Sequence, residues 1–127
     1  MKEFKELNPR NYDVDMKTEC YLLQLFASLM LVQDSFGRDL VITSGLRSQA
    51  FQNQLIAEGR SNAPLSKHLL GAAADVADVD GKLAQWCRDN VPFLEANELW
   101  CESPSATKGW VHFQTLPPNS GRRFFIP

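Results

Sequence analysis

A chain of 127 residues, of which 44% are hydrophobic, is long enough to form one domain whose core needs no disulfides. The net charge of -2 argues against a broad basic surface for nucleic acid or anionic lipid, because such binding requires phosphate neutralisation. The three cysteines, Cys20, Cys87 and Cys101, form no CxxC pair, so neither a disulfide framework nor a thiolate zinc ribbon is indicated. We therefore expect a single, monomeric domain over residues 1–127 with no nucleic-acid partner.

The first ten residues alternate charged and apolar side chains and contain no apolar core of signal-peptide length. Nowhere does an apolar run approach the roughly 20 residues that span a bilayer. We therefore expect no membrane insertion and a protein that is cytoplasmic as synthesised. If its substrate lies outside that compartment, another factor must carry the protein there.

A long helix is predicted from a cap at Asp15 or Thr18 to about Phe36, because large apolar residues recur there at spacings of three and four. Gly37 is expected to end it. This is the most apolar predicted helix of the chain. We assign it to the core and give it no chemical role.

Arg47 lies between a predicted strand at residues 40–43 and a predicted helix over about residues 49–58 that Ser48 caps. An arginine held at such a junction can meet a ligand carboxylate in a forked hydrogen bond. The alternative interpretation is an ordinary surface salt bridge.

Asp75, near the middle of the chain, is a carboxylate flanked by small side chains. Residues 60–66 have loop composition and lead into His68, and a strand is predicted at residues 73–77. Because side chains alternate along a strand, Asp75 shares a face with two alanines, which leaves room for a metal and a substrate. The turn at residues 78–81 is not expected to bind calcium, because its first and last ligand positions would hold a valine and a cysteine.

The last third of the chain is predicted to begin with a short helix from Lys82 to about Val91, stopped by Pro92. Two strands, residues 98–102 and 109–115, are then expected to pair in antiparallel fashion. The tail from Leu116 is predicted to be extended and irregular.

The register of those two strands would point Glu102 and His112 into the same cleft. His68 and His112 are the two histidines of the chain. A histidine taken alone is more often a packed or surface residue than a ligand. Together with Asp75, however, the two imidazoles satisfy the three N/O ligands of a catalytic zinc site that keeps one position open.

Other catalytic chemistries have weaker support. The chain contains no HExxH helix, no GxSxG elbow, no GxxxxGK[ST] loop and no GxGxxG loop. Cys101 beside Glu102 allows a thiol nucleophile as a rival. Strand alternation, however, turns Cys101 away from the face that Glu102 and His112 would share.

Three segments in order resemble the zinc D-alanyl-D-alanine carboxypeptidase family, the M15-like peptidases. They are TSGLRS at residues 43–48, SKHLLGAAAD at residues 66–75 and WVH at residues 110–112. That family also includes VanX-type dipeptidases, phage endolysins and the hedgehog signalling domain. The resemblance runs from about Ile42 to Gln114, and the motif-bearing part covers about residues 40–115.

This resemblance implies an α+β fold in which a small antiparallel sheet carries a zinc cleft flanked by helices. It implies one zinc ion on His68, Asp75 and His112. It also makes Arg47 a catalytic residue that binds the substrate's carbonyl or carboxylate.

The general base is less directly implied, because several members place a carboxylate three residues before the last histidine, where this chain has Gly109. Another branch places a glutamate at the end of the preceding strand, which corresponds to Glu102. Ser66 and Trp110 are candidate substrate-binding residues, with loop shaping and strand packing as the alternatives. Leu46 stands where many members have an aromatic residue.

The implied function is zinc-dependent hydrolysis of peptidoglycan stem-peptide bonds next to D-amino acids, by a D,D-carboxypeptidase or an endolysin-type endopeptidase. The lack of a signal sequence is typical of a phage or prophage lysis enzyme that a holin-type protein releases to the cell wall, and a cytoplasmic D,D-dipeptidase fits as well. The alternative is a catalytically inactive zinc-binding module of the same fold, serving in binding or assembly.

Overall fold

In the part of the chain that the structure describes, five strands form one sheet, and four helices and two short 3-10 turns are arranged around it. The computed structural model describes residues 1–61, 63 and 65–127. The helices are α1 (Met16–Phe36), α2 (Gln49–Ala57), α3 (Lys82–Asp89) and α4 (Val91–Ala96), and the strands are β1 (Ile42–Ser44), β2 (Ala73–Ala77), β3 (Trp100–Glu102), β4 (Trp110–Gln114) and β5 (Phe124–Phe125). The 3-10 turns cover Phe4–Leu7 and Lys67–Leu70. This is the predicted α+β fold.

The strand order β1-β2-β4-β3-β5 places β2 and β4 at the centre of the sheet. The first four strands pair in antiparallel fashion, whereas β5 lies parallel to β3. The sheet is therefore mixed at one edge rather than purely antiparallel. Because β2 and β4 are central and neighbours, any pair of side chains opposite one another on them lies in the middle of the sheet.

Helix α1 is the main core helix, as its apolar spacing predicts. Asp15 caps its first turn by accepting a hydrogen bond from the backbone N–H of Thr18 at 2.8 Å, and Gly37 ends it in the left-handed conformation. Its buried residues pack with residues from the sheet and from the later helices. The largest fully buried side chains are Leu7, Leu22, Leu25, Leu29, Leu83, Leu94, Leu99 and Phe113. Of the helices in the described part of the chain, none combines the length and apolar character that a bilayer crossing requires.

The N-terminal segment is part of the fold and lies against the loop after β1. The backbone N–H of Leu46 donates to the carbonyl oxygen of Leu7 at 2.8 Å. Gly45 makes this approach feasible, since a Cβ there would come within 2.3 Å of the same oxygen. The lead-in thus packs directly against the segment that carries Arg47.

Three predictions about the C-terminal part were wrong. The helix after residue 81 ends at Asp89, and Pro92 does not stop it but lies in the first turn of α4, where the missing N–H has no helical partner to lose. The tail is not wholly irregular, because Phe124–Phe125 pairs with the open edge of β3. Strand β3 also begins two residues later than predicted, since Glu98 has a φ of 51° and leaves the extended conformation.

Candidate active site

The sheet register places two of the predicted ligands directly opposite one another. Asp75 of β2 is the partner of His112 on β4, so both side chains project from the same face of the sheet. His68 comes from the 3-10 turn that precedes β2, and Ser66 caps this turn by accepting the backbone N–H of His68 at 3.2 Å. The three side chains therefore meet above the centre of the sheet.

The ligand atoms of His68, Asp75 and His112 all lie within 4.8 Å of one another. Nδ1 of His112 is 2.9 Å from Oδ1 of Asp75, and Nε2 of His68 is 3.4 Å from the same oxygen. Ligand atoms bound tetrahedrally at about 2.0 to 2.2 Å from one ion lie roughly 3.3 to 3.6 Å from each other. The cluster thus has nearly the spacing that a zinc-sized ion requires, and its donor set fits such an ion.

A backbone carbonyl fixes the tautomer of His68. Nδ1 of this buried ring lies 2.8 Å from the carbonyl oxygen of Gly45. Because a carbonyl oxygen only accepts, Nδ1 must carry the hydrogen, and Nε2 is left with its lone pair toward Asp75. This is the arrangement in which an imidazole can bind a metal through Nε2.

A side-chain amide fixes His112 in the same way. Nε2 of His112 lies 2.9 Å from Oε1 of Gln114, and Nε2 of Gln114 donates to the carbonyl oxygen of Leu116 at 2.7 Å. The second bond orients the amide, so its oxygen must face the ring, and Nε2 of His112 must be the donor. Nδ1 then faces Asp75 and is the nitrogen available to a metal.

Burial and hydrogen bonding act in opposite directions on the pKa values of these three groups. Burial alone lowers the pKa of His112, but the hydrogen bond and charge of Asp75 outweigh burial and raise the pKa. Burial prevails at His68 and lowers its pKa. Burial would raise the pKa of Asp75, yet the hydrogen bond from His112 holds that pKa well below its usual value. The lowered pKa of Asp75 and the raised pKa of His112 both favour an ion pair between these two side chains.

Glu102 lies beside the cluster without belonging to it. Its Oε1 is 3.9 Å from Nδ1 of His112, which is beyond hydrogen-bond distance. Burial raises the pKa of Glu102 and the charge of Asp75 adds to this, while His112 and Arg47 act in the opposite direction. As predicted, Glu102 and His112 share one cleft, and Glu102 takes up a proton more readily than a glutamate in water.

Arg47 holds the outer oxygen of Asp75. Its NH2 group is 3.3 Å from Oδ2 of Asp75, and its other nitrogens donate to Oγ of Ser44 at 3.1 Å and Oε1 of Gln52 at 3.2 Å. Burial lowers the pKa of Arg47, although the charges of Asp75 and Glu102 counteract it. The ion pair is largely buried, so it differs from the exposed salt bridge that was the alternative interpretation. It leaves Oδ1 of Asp75 free to face the two rings.

A cleft of about 250 Å³ opens above these groups, and we call it the metal cleft. Its lining includes the predicted catalytic and substrate residues Arg47, Ser66, Glu102 and Trp110. The structure therefore brings all of them to one site, where their roles toward a substrate stay predictions.

Cys101 points the other way into the core, and its hydrogen bond with Cys87 and its burial raise its pKa well above the usual value. Cys101, the alternative nucleophile considered from the sequence, therefore does not reach the metal cleft.

Two buried glutamines had no assigned role in the sequence interpretation. Gln114 is 3% exposed and orients His112, and Gln52 is fully buried and joins Arg47 to the loop carbonyl of Ala63. Strand alternation already placed Gln114 on the face of His112, and a polar residue on such a buried face was the available signal. Gln52 gave no comparable signal, because helix spacing alone does not reveal which glutamine is buried.

A model of the peptidase M15 family matches residues 4–112. The chain therefore belongs to the peptidase M15 family, and the match begins well before the motif-bearing region that the sequence interpretation placed at about residue 40. No curated protein is similar enough in sequence to count as a relative. Among solved structures, the fold is similar to the L-Ala D-Glu endopeptidase ChiX of Serratia marcescens, with a TM-score of 0.58 and 21% identity over 91% of this chain and 99% of that one.

Proposed function

We propose that this M15 peptidase is a zinc-dependent endopeptidase that hydrolyses peptidoglycan stem-peptide bonds next to D-amino acids. The observation that carries the proposal is the convergence of His68, Asp75 and His112 beside Glu102, a carboxylate that is not part of the ligand cluster. The similarity in fold to an enzyme named an L-Ala D-Glu endopeptidase supports the choice of substrate.

The shape of the site favours an endopeptidase over a D,D-carboxypeptidase. On the β1 side, the metal cleft adjoins a chamber of about 410 Å³, and the two share Arg47, Arg60, Asp75 and Trp110. On the β3 side it adjoins a second chamber of about 450 Å³, and these share Ala63, Ser66, Glu102, His112 and Pro127. The described lining thus continues in opposite directions across the sheet, which suits a peptide that extends on both sides of the cleaved bond.

In the proposed reaction, His68, Asp75 and His112 hold the ion through the atoms that their neighbours already orient. When bound there, zinc supplies Lewis acidity, which lowers the pKa of a water to about 7 and polarises a carbonyl group. Glu102 accepts the proton of the attacking water and delivers it to the nitrogen of the leaving amine. Its partly buried position suits this exchange, because a raised pKa brings a carboxylate closer to neutral pH. Arg47 keeps Asp75 in place and lines the path of the substrate.

The test uses purified sacculi and a synthetic stem peptide, digested by the zinc-loaded protein and by two variants. Glu102→Gln should keep zinc, because its carboxylate is outside the cluster, and should lose about 10²- to 10⁴-fold in hydrolysis rate. His68→Ala should lose both zinc and hydrolysis. Metal content is measured by mass spectrometry of the metal, and new amines and fragments are identified by chromatography with mass spectrometry.

The fragments distinguish the candidate activities. Internal cleavage next to a D-residue supports the endopeptidase, whereas release of a terminal D-alanine alone would identify a D,D-carboxypeptidase. If zinc-loaded wild-type protein released no amine from either substrate, the inactive zinc-binding module would replace the enzyme as the better account.

A further inference from the structure

Two arginines outside the metal cluster line the chamber on the β1 side of the metal cleft. We call this chamber the arginine chamber; its lining includes Arg10, Arg47, Phe51, Arg60, Asp75 and Trp110. Arg10 comes from the N-terminal segment and Arg60 from the start of the loop after α2. Neither has a part in the ligand cluster.

The charges around the arginine chamber do not balance. Among its described lining residues, the charged ones are three arginines and one acid, Asp75, in a protein whose net charge is -2. Asp75 is already paired with Arg47, so Arg10 and Arg60 contribute two further positive charges. Arg60 has one described acidic contact, a 3.7 Å approach to Glu58 in which both side chains are exposed, and such a pair contributes little. A positive, partly enclosed surface beside the metal cleft attracts an anion.

The Arg10 side chain is held in position. Its guanidinium lies 4.2 Å from the centre of the Phe51 ring, a distance typical of a cation stacked on an aromatic face. On the N-terminal side of Arg10, the backbone is fixed by the hydrogen bond between Leu7 and Leu46. On its C-terminal side, the side chain of Asn8 holds the backbone of Tyr12: it donates to the carbonyl oxygen at 2.9 Å and accepts from the N–H at 3.0 Å. A stacked, anchored guanidinium loses little freedom when it binds a planar anion.

We propose that the arginine chamber is a subsite for a carboxylate of the substrate, bound by Arg10 and Arg60 within a residue or two of the cleaved bond. The short reach follows from the four residues that the chamber shares with the metal cleft. Guanidinium groups bind carboxylates in paired, charge-assisted hydrogen bonds, which fits two arginines better than a neutral side chain. The inference rests on the proposed function, because it assigns that enzyme a requirement for an acidic peptide.

The kinetic test compares an acidic stem peptide with two amidated forms, one at the internal carboxylate and one at the chain end. Arg10→Gln and Arg60→Gln should each reduce kcat/KM on the acidic peptide about tenfold, mainly through KM, and the double variant more. Amidation of the recognised carboxylate should lower the rate of wild type and remove the difference between wild type and variants. We expect this for the internal carboxylate; the same result with the chain end alone would assign the subsite to that group. Arg88→Gln, which removes an exposed charge on α3, is the matched control and should change neither rate.

A binding measurement separates this inference from the proposed function. Calorimetry with the zinc-loaded Glu102→Gln protein gives the affinity for the acidic peptide with and without the two arginine substitutions, whether or not wild type hydrolyses it. Arginine-dependent binding without hydrolysis would support the subsite and refute the endopeptidase. If neither the two arginine substitutions nor the two amidations changed hydrolysis or binding, the carboxylate subsite would be refuted and the proposed endopeptidase would stand. Arg10→Lys with Arg60→Lys should restore part of the affinity, because the charge remains and the paired geometry is lost.

Discussion

Oε1 of Gln114 lies 2.9 Å from Nε2 of His112, and this contact decides which nitrogen of the ring faces the metal cluster. The acceptor is itself oriented, since the amide nitrogen of Gln114 donates to Leu116. A neighbour that orients a metal ligand in this way typically accounts for a 10- to 100-fold difference in metal affinity.

Gln114→Leu should therefore weaken zinc binding about 10- to 100-fold, because the ring loses the acceptor that fixes Nδ1 toward Asp75. Competition with a chromophoric chelator measures the affinity. Gln114→Glu is the control, since its carboxylate still accepts from Nε2 of His112 and should keep most of the affinity. Wild-type affinity in the leucine variant would mean that the amide does not orient the ring.

Zinc binding should weaken as the pH falls through the raised pKa of His112. Below that pKa the ring carries a proton on the nitrogen that faces Asp75, and the ion must displace it. The apparent affinity should drop about tenfold per pH unit there and level off above the pKa. Below that pKa, calorimetry in two buffers of different ionisation enthalpy should detect about one proton released per ion. An affinity independent of pH would contradict the protonated pair.

Gly45→Ala should destabilise the protein by more than the roughly 1 to 2 kcal/mol that a Cβ costs in the left-handed conformation. The new Cβ would lie 2.3 Å from the carbonyl oxygen of Leu7, so the N-terminal segment and the loop carrying Arg47 must separate. Gly37→Ala is the comparison, because its Cβ meets nothing within 4 Å although its φ is 81°. Urea unfolding of the two variants measures the difference, and equal midpoints would refute the close approach.

Thiol reagents should leave hydrolysis intact. Cys20 is exposed whereas Cys87 and Cys101 are buried, so the native protein should react at one thiol and the denatured protein at three. Burial and the contact with Cys87 raise the pKa of Cys101, which lowers its thiolate fraction further. Titration with a chromogenic disulfide counts the thiols. Loss of hydrolysis after modification of Cys20 alone would contradict a reaction that uses no thiol.

Local patterns predicted the parts of the fold that depend on local rules. The caps at Asp15 and Ser48 follow from side-chain chemistry at helix starts, and the central strand at residues 73–77 has the bounds that were predicted. Pro92 was misread because a proline suits the first turn of a new helix as well as the end of an old one. The Phe124–Phe125 strand was missed because its pairing depends on the open edge of β3, which no local pattern encodes.

The sequence by itself determined the kinds of side chain available for chemistry, namely two imidazoles, an aspartate among alanines and a glutamate at a strand end. It also determined which faces of the strands they occupy, because alternation is a property of the local backbone. Only the tertiary structure decided which nitrogen of His68 faces Asp75, through the carbonyl oxygen of Gly45. Only it brought Arg10 and Arg60 to one chamber. Orientation and proximity of this kind arise from contacts between segments far apart in the chain, and spacing along the sequence does not specify them.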